Sequence, residues 1–301
     1  GYVPSIAAQR MSGSRSYLIL AINDRERTIA DWTARQGGDW VDQMLLGGML
    51  TASEHGYRML IELVDTHDDH VERELGAALS ALHPDGVVLT PPHSENSQIT
   101  GLLAERGIRF ARIGSKEPGP GIAMTMDDDG AAEEATRHLL ELGLTRIGFI
   151  AGSEEYSLSD WRKAGWERTM GEAGLDCDDL CVRGDFGFDS GLAAARKLLA
   201  LDDRPTAIIG SSDQMTLATL EVAHEQGLEV PRDLSLISFD NTPIVRFSNP
   251  KLTAIDQPIA KTIARAVELL IDRDGDEVEQ PVVVSGELVV RQSTAAPPSG
   301  T

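Results

Sequence analysis

The chain has 301 residues, enough for two α/β lobes, and a formal net charge of -21. A body this acidic repels polyanions, so nucleic acid and anionic membranes are poor partners for its main mass. No apolar run approaches membrane-spanning length and the first residues lack the apolar core of a signal peptide, so the expected location is the cytoplasm. Cys177 and Cys181 have no CxxC spacing and read as reduced thiols rather than a disulfide or zinc site.

Residues 1–16, GYVPSIAAQRMSGSRS, carry Arg10 and Arg15, and no acid occurs before Asp24. Pro4 suits a first helical turn, Ile6, Ala7, Ala8 and Met11 supply small and apolar faces, and Gly13 ends the run. A helix this short needs a partner in order to fold. The opening segment therefore has a task of its own.

The apolar run 17–22 predicts a first buried strand that stops at Asn23-Asp24. Residues 25–38 then read as a long loop that carries Trp32 and leads to Trp40, indoles of the kind that stack on sugar faces. A helix over 39–55 is closed by Gly56, and a strand over 58–64 follows. His67 and His70, set among aspartates, read as the start of the next helix, where carboxylates cap amides, rather than as metal ligands. Strands DGVVLTPP and GIAMTMDDDG alternate with helices of ten to fifteen residues, the pattern of a right-handed, doubly wound parallel sheet. Asp127, Asp128 and Asp129 precede a long helix; at least one is expected to cap it, and the trio marks the first crossing between lobes.

The second half repeats the alternation. A strand over 146–151 and a helix over 157–173 lead to GDFGFDSG, the turn before another helix. RPTAIIGSSDQMTLATLEVAHEQGLEVPRDLSLISFDN reads as strand, helix, strand, with Ser212-Asp213 and Asp240 at the carboxyl ends of the two strands. Parallel α/β sheets gather ligands at such strand ends, because crossover loops and helix N-termini converge there. Asp240 is a carboxylate able to accept two hydroxyl groups. The helix after Pro258 carries Ile259, Ile263, Ala266, Val267 and Leu270 on one face. Asp272, Asp274 and Asp276 read as a solvated loop, since Gly275 does not suit a calcium loop. PVVVSGELVVRQST supplies closing strands, and residues 294–301 are expected to be a disordered tail. The sequence holds no GxSxG elbow, Walker loop, HExxH or dinucleotide GxGxxG after the first strand, so neither an enzyme, a cofactor nor a metal is expected.

The opening segment resembles the hinge of LacI/GalR-family transcriptional regulators, roughly GYxPNxxARxLxxxRS, with Ser5 in place of the usual Asn and Met11 in place of Leu. MDDDGAAEEATRHLLELGLTRIGFIAGS, the Arg162, Gly165, Trp166 element and TAIDQP extend the likeness over essentially the whole chain. The resemblance implies a periplasmic-binding-protein-like fold: two doubly wound lobes, an interlobe ligand cleft and three chain crossings. The expected divisions are a hinge at 1–16, a first lobe at 17–127 plus 258–278, and a second at 128–257 plus 279–293. It implies an effector site that includes Asn23, Asp24, Trp40, Arg162, Phe186, Ser212, Asp213, Asp240 and Gln257, with Arg162 forking onto hydroxyls or a carboxylate. Ser212 stands where many relatives carry Asn, which alters the hydrogen bonding available there.

The implied function is a ligand-responsive regulator, expected to be a repressor, whose effector is a sugar or oligosaccharide. Pro4, Ala7, Ala8, Arg10 and Met11 would form the DNA-side hinge. The sequence begins at that hinge and so resembles a regulator without its helix-turn-helix headpiece, through which operator DNA would be bound. A homodimer is implied, with helix 39–55 and the helix after His67 contributing. A sugar-binding protein of a transporter shares the fold and is the alternative; the basic hinge and the lack of a signal peptide weigh against it.

Overall fold

In the computed structural model, residues 15–34, 38–65, 70–272 and 278–298 are described. The hinge positions Pro4, Ala7, Ala8, Arg10 and Met11 lie outside them, as do His67 and Asp274. The elements in chain order begin with β1 (Leu18–Asp24), α1 (Arg25–Ala34), α2 (Asp39–Glu54), β2 (Arg58–Val64), α3 (Val71–Leu82) and β3 (Gly86–Leu89). Next come α4 (Ser97–Glu105), β4 (Arg109–Ile113), β5 (Ile122–Thr125), α5 (Asp128–Glu141), β6 (Ile147–Ala151), α6 (Ser157–Glu172) and β7 (Cys181–Arg183). The chain finishes with α7 (Phe188–Leu199), β8 (Ala207–Gly210), α8 (Asp213–Glu225), β9 (Ser235–Asp240), β10 (Thr253–Asp256), α9 (Ile259–Ile271), β11 (Val282–Val283) and β12 (Glu287–Val289).

These elements form two compact units. The first runs to Met126 and is completed by Pro258–Val284; the second comprises Asp127–Gln257 and the chain from Ser285 on. The first sheet has the order β11-β5-β4-β3-β1-β2, the second β12-β10-β9-β8-β6-β7. Both are parallel except that β12 runs antiparallel to β10. Each first-built strand thus lies between the second and third, which creates a switch point where consecutive crossovers leave in opposite directions.

Alternation along each central strand explains the layering. All seven residues of β1 are buried. Ile19 and Ala21 join Met44 of α2 and Ile263, Ala266 and Val267 of α9, whereas Leu20 and Ile22 join Leu75 of α3 and Leu103 of α4. In the second unit Ile147 and Phe149 pack with Leu139, Trp166 and Met170 of α5 and α6, while Ile150 faces Ala194 and Leu198 of α7 and Val222 of α8. Glycines permit the closest helix approaches. A Cβ at Gly47 of α2 would lie 2.0 Å from the Ala260 carbonyl oxygen of α9, and one at Gly165 of α6 would lie 2.3 Å from the Asp129 carbonyl oxygen of α5.

Four expectations are corrected. Residues 25–34 are helical, not loop: Asp24 Oδ1 accepts from the Arg27 N–H at 2.7 Å, and Arg25 is anchored by the Leu63 carbonyl at 2.7 Å and by Glu74. Of this helix only Thr28 is buried, so no apolar periodicity announces it. The third crossing follows Val284 rather than residue 278, because β11 pairs with Met124 and Thr125 of β5. Likewise the first crossing lies between Met126 and Asp127, one residue earlier than expected. Finally, the segment from Thr294 is not a free tail where it is described: Ala295 donates to Ser235 Oγ at 3.2 Å, and Thr294 Oγ1 lies 3.1 Å from His138 Nε2.

Candidate functional site

The second sheet's switch point falls at the carboxyl ends of β6 and β8, and the helices that open there bring the candidate residues together. Arg162, one turn into α6, is 2% exposed, and its guanidinium carbon lies 4.5 Å above the centre of the Phe239 ring. Nε donates to Asp128 Oδ1 at 2.8 Å, and Nη2 forms an ion pair with the same oxygen at 2.8 Å. Nη1 donates to the Ser211 carbonyl at 2.8 Å. With its amide turned so that Oε1 faces the fork, Gln257 accepts from Nη2 and, at 3.2 Å, from Nη1. The close seat of Gly165 against α5 is what lets a helix-start carboxylate reach a side chain of α6.

Beside this pair stand two more carboxylates. Ser212 caps α8, its Oγ accepting from the Met215 N–H at 3.1 Å and donating to the Phe186 carbonyl at 2.8 Å. The next residue, Asp213, is buried; it accepts from Ser238 Oγ and from the Thr242 N–H at 2.6 Å, and its own N–H donates to Asp240 Oδ2 at 3.2 Å. Burial, with the adjacent Asp240 carboxylate as the second cause, pushes the Asp213 carboxyl up to about 7. Asp240 and Asn241 both hold positive φ, 94° and 60°, a left-handed pair that non-glycine residues rarely adopt. Asn241 is fixed by donating to Asp256 Oδ1 at 2.8 Å and by accepting from Arg291. Phe186, also left-handed at φ 72°, sits edge-on to Tyr156 with centroids 5.6 Å apart and covers Gly152.

The carboxyl edge of the first sheet holds the remaining candidates. Asn23 donates to Thr28 Oγ1 at 3.2 Å and accepts from Thr90 Oγ1 at 2.7 Å, so its amide ties β1 to α1 and to the residue after β3. Asp24 caps α1. Trp40 is half-buried against the core of the first unit, and Trp32 on α1 is 51% exposed. Arg162, Gln257, Ser212, Asp213 and Asp240 are therefore assembled within one unit, whereas Asn23, Asp24 and Trp40 belong to the other.

Several members of the assembly are absent from the sequence reading. Asp128 is the partner of Arg162, although the three adjacent aspartates read as caps and a crossing; Asp127 holds the N-cap position without a side-chain capping bond. Ser238 and Thr242 hold Asp213, and Thr90 holds Asn23. Only the strand-end position of Ser238 and Thr242 signals them, and many residues share it. Among the described residues no group of three His, Cys, Asp or Glu side chains is placed to hold a metal, and no helix is long and apolar enough to cross a membrane.

Residues 136–294 match the model of the periplasmic binding protein-like domain. The chain is 29% identical over 300 residues to the HTH-type transcriptional regulator CelR of Thermobifida fusca, covering 97% of this chain and 86% of that protein. To the HTH-type transcriptional repressor CytR of Escherichia coli strain K12 it is 32% identical over 304 residues, covering 99% and 85%. A solved complex of the regulator CelR with cellobiose matches with a TM-score of 0.80 at 27% identity, covering 93% of this chain and 85% of that one. These relatives are regulators, not binding proteins of transporters.

Proposed function

The chain belongs to the LacI family of transcriptional regulators, and from that premise we propose that it responds to a sugar or short oligosaccharide bound at the carboxyl edge of its second sheet. The observation that carries this reading is the buried Arg162 fork lying with Asp213 and Asp240 at that edge. A guanidinium offers paired donors in a fixed plane and the two carboxylates offer acceptors, the combination that suits vicinal hydroxyls. CelR, similar over nearly the full length, was solved with cellobiose. Gln257, Ser212 and Phe186 complete the contacts, and Asn23, Asp24 and Trp40 are the first unit's candidates.

The effector acts by differential affinity for two arrangements of the protein, which the hinge around Pro4, Ala7, Ala8, Arg10 and Met11 passes to a DNA-binding headpiece. The protein works in the cytoplasm as a homodimer on a two-fold symmetric operator, most simply as a repressor. On α2 the side chains Leu46, Met49 and Leu50 are at least half exposed at helical spacing, an apolar stripe suited to a second copy. The bound sugar is released unchanged.

Thermal unfolding against mono- and oligosaccharides, cellobiose and ribose among them, tests this reading. Ligand at about a hundred times its dissociation constant adds roughly 2.7 kcal/mol, a rise of a few degrees in Tm. Asp240→Ala and Arg162→Ala are expected to abolish the rise. A sugar response that survives both substitutions refutes the site, and a panel in which no sugar raises the Tm refutes the effector class.

A further inference from the structure

Deepening the sugar-site reading on which it rests, we propose that Asp128, Ser159 and Ser211 form a buried subsite around Arg162 that takes one neutral hydrogen-bond-donating group, a hydroxyl, and turns anionic ligands away. Among the described residues of the second unit, the buried side-chain polar atoms without a hydrogen-bond partner are Asp128 Oδ2, Ser159 Oγ and Ser211 Oγ. Asp128 accepts from Arg162 through Oδ1, Ser211 accepts from it through its carbonyl, and Ser159 precedes Arg162 by three positions on α6, the spacing that shares a helix face.

The geometry of the ion pair gives the subsite its polarity. An Arg–carboxylate pair ordinarily matches both carboxylate oxygens to the fork. Here Nε and Nη2 both lie 2.8 Å from a single oxygen, only Nε donating to it, which leaves Oδ2 in need of a donor in a place shielded from solvent, where an unmade hydrogen bond is costly. A hydroxyl group supplies that donor and can accept in turn from a serine hydroxyl. A carboxylate or phosphate supplies none. Nor does such an anion meet an unopposed positive charge, because Asp128 offsets Arg162. The same fork that suggests an anion site when read alone is converted by Asp128 into a site for neutral polyols.

The test pairs neutral and anionic probes on the whole chain by titration calorimetry: glucose with glucuronate, ribose with ribose 5-phosphate, cellobiose with cellobionate. The wild type is expected to bind a neutral member at least tenfold more tightly than its anionic counterpart. Asp128→Asn, which frees the charge of Arg162, should narrow or reverse that ratio. Ser211→Ala, which keeps the carbonyl contact to Arg162, and Ser159→Ala should each weaken the neutral probe about tenfold, the worth of a hydrogen bond in a shielded site. An anion as the tightest ligand of the wild type overturns the proposal. So does a neutral ligand whose affinity changes less than twofold in Ser159→Ala and Ser211→Ala, and that outcome leaves the sugar reading standing. If no probe of either kind binds, both the sugar reading and the subsite fall.

Discussion

Replacing Asp213 by Asn should make the second unit more stable at neutral pH, by an amount that vanishes in acid. In the native chain the carboxyl is buried beside Asp240 and raised from 3.8 to about 7. At ~1.4 kcal/mol per pH unit the perturbation is worth on the order of 4 kcal/mol. The sign follows from which state binds the proton more tightly. The folded chain holds it up to about pH 7 and the unfolded chain releases it near 3.8, so this contribution to stability is complete below 3.8 and is lost as pH rises through about 7. An amide does not ionise. Asn is also accommodated, because Ser238 Oγ, which lies 3.1 Å from the Phe239 carbonyl, can turn its proton there and accept from the new NH₂. The expected advantage of Asp213→Asn over wild type is near zero at pH 4 and about 2–4 kcal/mol at pH 8. Urea unfolding followed by fluorescence, at one-unit steps between those limits, measures it; Trp166, fully buried and stacked on Phe149, reports the unit concerned. A difference independent of pH, or one that grows toward acid, refutes the reasoning.

Two further outcomes follow from packing and burial. Gly165→Ala drives a methyl into the Asp129 carbonyl and should cost about 1–3 kcal/mol, whereas Gly171→Ala in the same helix meets nothing within 4 Å and should gain up to ~1 kcal/mol from helix propensity; calorimetry in which the two variants shift alike counts against the contact. Burial pushes the Cys181 thiol up to about 11, so at pH 8 iodoacetamide should modify it roughly a hundredfold more slowly in the folded than in the unfolded chain, and equal rates would show that the thiol is open.

The strands and most helices were legible because burial imposes a strict period. The β9 run ending at Asp240 and the face of α9 carrying Ile259, Ile263, Ala266 and Val267 stand where the spacing predicts. α1 was not, since a helix that buries only Thr28 and is held by a cap and two polar anchors leaves no apolar rhythm. Arg162 was legible through resemblance, but its partner was not: three consecutive aspartates look alike in sequence, and only the seating of α6 on α5 selects Asp128 for burial. β11 is two residues long, too short for any periodicity, so the last crossing could only be found from its pairing with β5.

The acceptor position of Gln257 has a mechanical consequence. This residue closes the second unit's middle stretch, and the very next one, Pro258, is the N-cap of α9 in the first. α9 is not free to slide, because its first turn rests on the bare backbone of Gly47. The residue held at the guanidinium and the N-cap of that helix are thus joined by a single peptide bond, with no spacer to uncouple a rotation of one backbone from the next.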